Sequence, residues 1–163
     1  PDSVTSIGDS AFSGCDNLTN VTIPDSVTSI GSGAFSGCSN LEIINIPSHI
    51  TVLSESLFSG CEKLTSFEIP ETITSIGSYA FSFSGLTNIK IPDSITIIEK
   101  ATFMSCDLLT KVEIPTSVTS IGDGAFSECT SLTEIEIPSS VTSIGESAFT
   151  WCTSLNMPPD HMK

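Results

Sequence analysis

Apolar and polar residues alternate in short runs along the chain, and the runs recur at a fixed interval. In "NVTI", Val21 and Ile23 alternate with Asn20 and Thr22, the period-two pattern of a half-buried strand. A proline follows, and with no N–H it ends the ladder there. The "VTSI" stretch after it predicts a second short extended segment. "GSGAFSGC" brings Ala34 and Phe35 together and predicts a short helical turn that inserts both into the core. The interval is 23 residues: Pro24, Pro47, Pro70, Pro92, Pro115 and Pro138 are spaced by it with one 22-residue step. Phe12, Phe35, Phe58, Phe81, Phe103, Phe126 and Phe149 keep the same rhythm, as do seven leucines from Leu18 to Leu155. The short step reflects one residue lost between Phe81 and Leu86.

A unit of this size cannot bury its apolar positions alone, but stacked copies bury each other's. Stacking predicts a solenoid of about seven turns with a parallel sheet, in which Val21, Ile44, Phe67, Ile89, Val112 and Ile135 form one inward column. The glycine column at Gly8, Gly31, Gly77, Gly122 and Gly145 becomes Ser54 and Glu99 in two turns. That argues against an obligatory left-handed backbone there, which glutamate would resist. The repeat spans residues 1–155 of a single domain covering 1–163. The "NMPPDHMK" tail lacks the strand and reads as a stop, with Trp151 expected to shield the last open turn. Because the chain opens at Pro1 in the middle of a repeat, it reads as a fragment of a longer protein.

The unit "LxxIxIPxSVTSIGxxAFxxCxxL" resembles the BspA-like (Treponema pallidum-type) class of leucine-rich repeats. The resemblance covers nearly the whole chain. It implies a right-handed curved leucine-rich-repeat solenoid, with the parallel sheet concave and short helical or irregular turns convex. Members of that class are typically cell-surface or secreted proteins of bacteria and of protists such as trichomonads and Entamoeba. They are associated with adhesion and host-protein binding, so the resemblance also implies a surface location and an extracellular or host-surface protein partner.

Charge narrows the partners. Nineteen acidic residues stand against five lysines and no arginine, for a net charge of −14. Such a chain repels phosphate backbones, so nucleic acid is a poor candidate partner and none is expected, and anionic membrane surfaces are disfavoured. No apolar run approaches the roughly 18 residues of a membrane span.

The six cysteines fall three residues after phenylalanine in every turn but one, where Ser84 takes the place. Equivalent residues in stacked strands stand about 4.8 Å apart with parallel side chains, whereas a disulfide wants roughly 3.8 Å between Cβ atoms. The expectation is therefore a ladder of free, buried thiols acting as small hydrophobes. No C-x-x-C pair exists, and the histidines are His49 and His161, so no metal or cofactor is expected. His49 replaces the usual serine of its column and reads as a solvated loop residue. Neither a phosphate loop nor a nucleophile motif is present, and no enzyme is expected.

Outward strand positions are free of stacking constraints, so variation there is informative. One outward column reads Thr22, Asn45, Glu68, Lys90, Glu113, Glu136, and its neighbour reads Asn20, Ile43, Ser66, Asn88, Lys111, Glu134. The charged half of this face names the candidate protein-binding residues: Glu68, Lys90, Lys111, Glu113, Glu134 and Glu136. Glu113 and Glu136 are expected to be neighbours in the stack, where like charges cost stability. A local rule broken in this way can mark function. The bland reading is an acidic face that prevents aggregation. Calcium bridging lacks any ligand loop.

The unbroken column from Thr5 to Thr142 predicts a structural threonine ladder. An ice-binding face would need a second threonine rank, which the neighbouring Ser29, Val52, Ser75 and Ile97 do not supply. Asn17-Leu-Thr and Asn20-Val-Thr are sequons by pattern, expected by chance in so Thr-rich a chain. Tyr79, Phe83 and Trp151 are expected on the outer side. The functional expectation is a non-enzymatic adhesion or binding module that uses the concave sheet. The alternative is a rigid spacer that displays other domains.

Overall fold

The structure, a computed structural model, describes residues 1–156; the stop expected after Leu155 lies, apart from Asn156, outside them. Among the described residues eleven short strands occur, in two families. The first family carries the "NVTI" stretches: β2 (Asn20–Val21), β4 (Ile43–Ile44), β7 (Asn88–Lys90) and β9 (Lys111–Glu113). The second carries "VTSI": β1 (Ser6–Ile7), β3 (Ser29–Ile30), β5 (Val52–Leu53), β6 (Ser75–Ile76), β8 (Ile97–Ile98), β10 (Ser120–Ile121) and β11 (Ser143–Ile144). All pairing is parallel and one repeat apart, as in Ile7 with Ile30 and Val21 with Ile44. This is the parallel solenoid that the repeat predicts.

The core is a set of columns running through the stack. Adjacent phenylalanine ring centres lie 5.3 Å apart at Phe12–Phe35 and 5.4 Å apart at Phe126–Phe149, the rings stacked nearly parallel in both pairs. Every member of this column but Phe12 is buried. The predicted inward column holds too, with Ile44, Ile89 and Val112 buried and Val21, Phe67 and Ile135 half-buried against the core.

The "GSGAFSGC" stretch is not helical, and no helix occurs among the described residues. The residues two before and two after each phenylalanine take positive φ: Gly33 (63°) and Gly37 (72°) in one turn, Tyr79 (62°) and Phe83 (58°) in another. That alternation turns every second N–H toward the next turn instead of along a helix. Gly33 donates to Glu55 O at 2.8 Å and Phe35 to Leu57 O at 3.2 Å, while Ala34 donates locally to Gly31 O at 3.3 Å. The backbone is thus satisfied in two directions at once, which a helix cannot do while stacking.

The glycine column is not left-handed, as its Ser54 and Glu99 members imply. Its reason is close approach. A Cβ on Gly77 would fall 2.5 Å from the Glu55 nitrogen of the preceding turn. Gly77, Gly122 and Gly145 each donate at 2.7 Å to a carbonyl one turn back. Where Ser54 and Glu99 occupy the column, the second ladder is interrupted, between β3 and β5 and between β6 and β8. The threonine ladder records the same two breaks. The amides of Thr28, Thr74, Thr119 and Thr142 donate to the preceding threonine's carbonyl at 2.7–2.9 Å, whereas Thr51 and Thr96 do not.

All six cysteines are free, five of them buried and Cys15 half-buried. The thiols do more than fill space. Each of the five donates to the carbonyl of the phenylalanine one turn back, at 3.0–3.2 Å. Ser84, which takes the place in the short turn, is buried and pairs instead with the Cys106 thiol, Oγ to Sγ 3.5 Å. Burial pushes the Cys61 thiol up to about 12 and Cys106 up to about 11, so neither is a nucleophile at neutral pH.

Candidate functional site

The first strand family faces a recess on its outward side, and the sequence-predicted residues line it. Glu68, Lys90, Lys111, Glu113, Glu134 and Glu136 are all exposed. β7 and β9 pair Lys90 with Glu113 and Asn88 with Lys111. Within β9, Lys111 Nζ lies 3.8 Å from Glu113 Oε1, both side chains more than half exposed. An exposed pair of this kind contributes at most about 1 kcal/mol. Its effect is local: it neutralises the middle of the face and leaves Glu134 and Glu136 unbalanced at one end.

The recess is not smooth, because the ladder is discontinuous. Ser66–Phe67 and Glu134–Glu136 form no strand, although the repeat predicts one at each. Phe67 explains the first gap. Where other turns carry valine or isoleucine, its ring wedges between Phe58 (5.1 Å) and Phe81 (5.6 Å). The next turn is also one residue short. There Gly85 is packed so closely that an added Cβ would strike the Glu62 carbonyl. At the second gap residues 111–113 form no strand pair with 134–136, while Glu113 and Glu136 line one and the same depression.

Depressions open where the ladder fails. One of about 470 Å³ is lined by Glu68, Lys90, Lys111 and Glu113 above Phe67 and Ile89. A second, about 580 Å³, holds Ile43, Asn45 and Glu68. A third, about 520 Å³, is floored by Val112, Ile114 and Ile135 and rimmed by Lys111, Glu113, Glu134 and Glu136. All six predicted residues therefore fall on one face, in two overlapping groups joined by Lys111 and Glu113.

Two features of this face were not read from the columns. Asn45 is structural: its Oδ1 accepts from Ile23 N at 2.7 Å and its Nδ2 donates to Ile23 O at 2.9 Å, extending β2 by side chain. Ile43 is 65% exposed on a strand, an apolar contact that its outward register alone marks. Elsewhere, His49 is exposed while five of the six thiols are buried. No group of three or more histidine, cysteine or carboxylate residues among those described is placed to hold a metal ion. Trp151 does not shield the last turn; it projects into solvent, 68% exposed. Tyr79 is half-buried, with Lys100 Nζ 6.0 Å from its ring centre.

Comparison with known proteins agrees with this architecture. The family model described as a BspA-type leucine-rich-repeat region, in six copies, matches residues 1–110 and 96–158. A leucine-rich-repeat protein of Bacteroides ovatus superposes with a TM-score of 0.90 at 37% identity over 95% of this chain. The leucine-rich-repeat protein of Treponema pallidum does so at 0.87 with 32% identity over 98%, and a leucine-rich cell-surface protein of Faecalibacterium prausnitzii at 0.72 with 34% identity over 96%. The chain spans 41% of the first of these proteins, 73% of the second and 51% of the third. No curated protein matches it. The repeat, the parallel stack and these likenesses converge: the chain belongs to the BspA-type leucine-rich-repeat family.

Proposed function

We propose that this chain is a protein-binding or adhesion module of a cell-surface or secreted protein, and that it binds through the recessed face of the first strand family. The observation that carries the reading is the coincidence of the charged, variable positions with the openings in the ladder. Where the ladder is paired, as between residues 88–90 and 111–113, the backbone is held by its neighbours and needs little reordering on binding, which limits the entropic cost. At one end of it, Glu113, Glu134 and Glu136 rim an apolar floor with a single lysine among them. A protein partner with a basic patch around an apolar contact fits that surface, and an extracellular host protein is the class expected. The cell-surface neighbour supports the location.

The experiment is an association measurement with a partner retrieved from host extracellular proteins. Reversing Glu113 and Glu136 to lysine leaves folding intact, because both side chains are solvated, and weakens binding at least about tenfold. Reversing Glu146, exposed on the outer side, leaves binding unchanged. Added salt slows association of the parent chain. Equal binding by both variants overturns the reading in favour of a rigid spacer.

A further inference from the structure

We propose that the outer flank carries a second docking point, a seat for an arginine side chain of a partner protein, formed by Glu128 and Trp151. The two residues occupy the same column in successive turns, two positions after phenylalanine. The backbone there is left-handed in every turn, and the first three turns use Gly14, Gly37 and Gly60 (φ 71–78°). The column then abandons glycine. Glu128 (φ 62°) and Trp151 (φ 64°) hold side chains in a conformation that bulky residues rarely adopt. The core does not compensate. Phe149, two residues earlier, is buried, while Trp151 is 68% exposed. Stacking imposes the left-handed backbone on this column in every turn, where glycine is the least strained residue; the use of glutamate and an exposed tryptophan instead motivates a search for a ligand at that position.

The chemistry of the position selects a cation. Glu128, Trp151, Thr130 and Thr153 line a depression of about 350 Å³, with no lysine among the described residues that line it. The Glu128 amide donates to Thr150 O at 2.7 Å, which ties the carboxylate's backbone to the turn that carries the indole. Ser105 Oγ lies 3.3 Å from Glu128 Oε2 and engages one carboxylate oxygen. The indole face attracts a cation through its quadrupole. A guanidinium is planar and weakly hydrated, so it stacks on that face while donating N–H bonds to the carboxylate, which an ammonium does less well. The net charge of −14 favours the approach of a basic partner.

Trp151 is the chain's single tryptophan, so intrinsic emission reports this position in the unmodified protein. Titration with L-argininamide should change the emission saturably at millimolar concentration. L-citrullinamide, the uncharged isostere, should bind at least about threefold more weakly, and L-lysinamide should fall between them. Glu128→Gln, an exposed change, should bring the argininamide response down to the citrullinamide level. N-acetyltryptophanamide measured alongside corrects for collisional quenching. Citrullinamide as effective as argininamide, an unchanged response in Glu128→Gln, or a tighter saturable response to an oligosaccharide would each overturn the assignment.

Discussion

Replacing Phe81 with alanine tests whether the phenylalanine column holds the stack together. Phe81 is fully buried. Its ring touches three others, Phe58 at 5.7 Å, Phe103 at 5.6 Å and Phe67 at 5.6 Å. The neighbouring turns are fixed by backbone bonds on both sides: Phe81 donates to Thr102 O at 3.0 Å and Phe58 to Ala80 O at 2.8 Å. The hole cannot collapse without breaking them, so the substitution costs both transfer energy and a cavity, about 3–5 kcal/mol. Phe12 supplies the internal control. It stacks on one ring only and is 40% exposed. Its alanine variant opens no closed cavity and loses roughly 60% of a buried phenylalanine's transfer energy, about 1–2 kcal/mol. Urea unfolding is the assay, followed by far-ultraviolet circular dichroism and by Trp151 emission. Trp151 lies three turns beyond Phe81, so coincident transitions show that the array unfolds as one unit. With an m-value near 2 kcal/mol/M, the Phe81 variant should lose about 2 M in midpoint and the Phe12 variant under 1 M. Equal losses, or less than about 1 kcal/mol at Phe81, would refute the column as core.

Native thiol titration should show Cys15 reacting first and the other five only after denaturation, in keeping with their burial; native reactivity of all six would contradict the ladder. Alkaline pH should destabilise the fold. Cys61 and Cys106 are raised from 9.0 to about 12 and about 11. The unfolded chain therefore releases their protons first, and stability falls as pH rises above about 9. Urea midpoints measured from pH 8 to 11 check this, and Cys106→Ser, which copies Ser84, should flatten the slope. His49→Ser should stabilise the fold by about 0.5–1.5 kcal/mol, read as a higher urea midpoint. Ser26, Ser94, Ser117 and Ser140 in that column each donate to a carbonyl one turn back.

Much of this architecture is legible because stacking forces equivalent residues into equivalent places. The Phe, Leu and Cys columns follow from spacing alone, and so does the outward register of Glu113 and Lys111. Interruptions are harder to read. Phe67 satisfies the apolar pattern of its column, yet its extra bulk opens the ladder. Ser54 and Glu99 point to a backbone that is not left-handed, but the reason for glycine in the other turns is an approach between turns, which a linear pattern does not display. The positive-φ positions are hidden for a different reason. Nine of these positions hold residues other than glycine, from serine and alanine to glutamate and tryptophan, and five hold glycine, so no single residue type marks them. For the same reason the orientation of Trp151 does not follow from its place near the end of the repeat.

The central claim, that the recessed face is the binding surface, is tested most directly by amide hydrogen exchange with and without the partner. In the free chain, Thr28, Thr119 and Thr142 should exchange slowly, and Ser66, Phe67, Glu134 and Ile135, which lack ladder bonds, should exchange fast. Partner binding should slow exchange over residues 65–69, 88–90, 111–113 and 134–136 together. Slowing confined to the second strand family or the positive-φ turns, with the recessed face unchanged, would contradict the account.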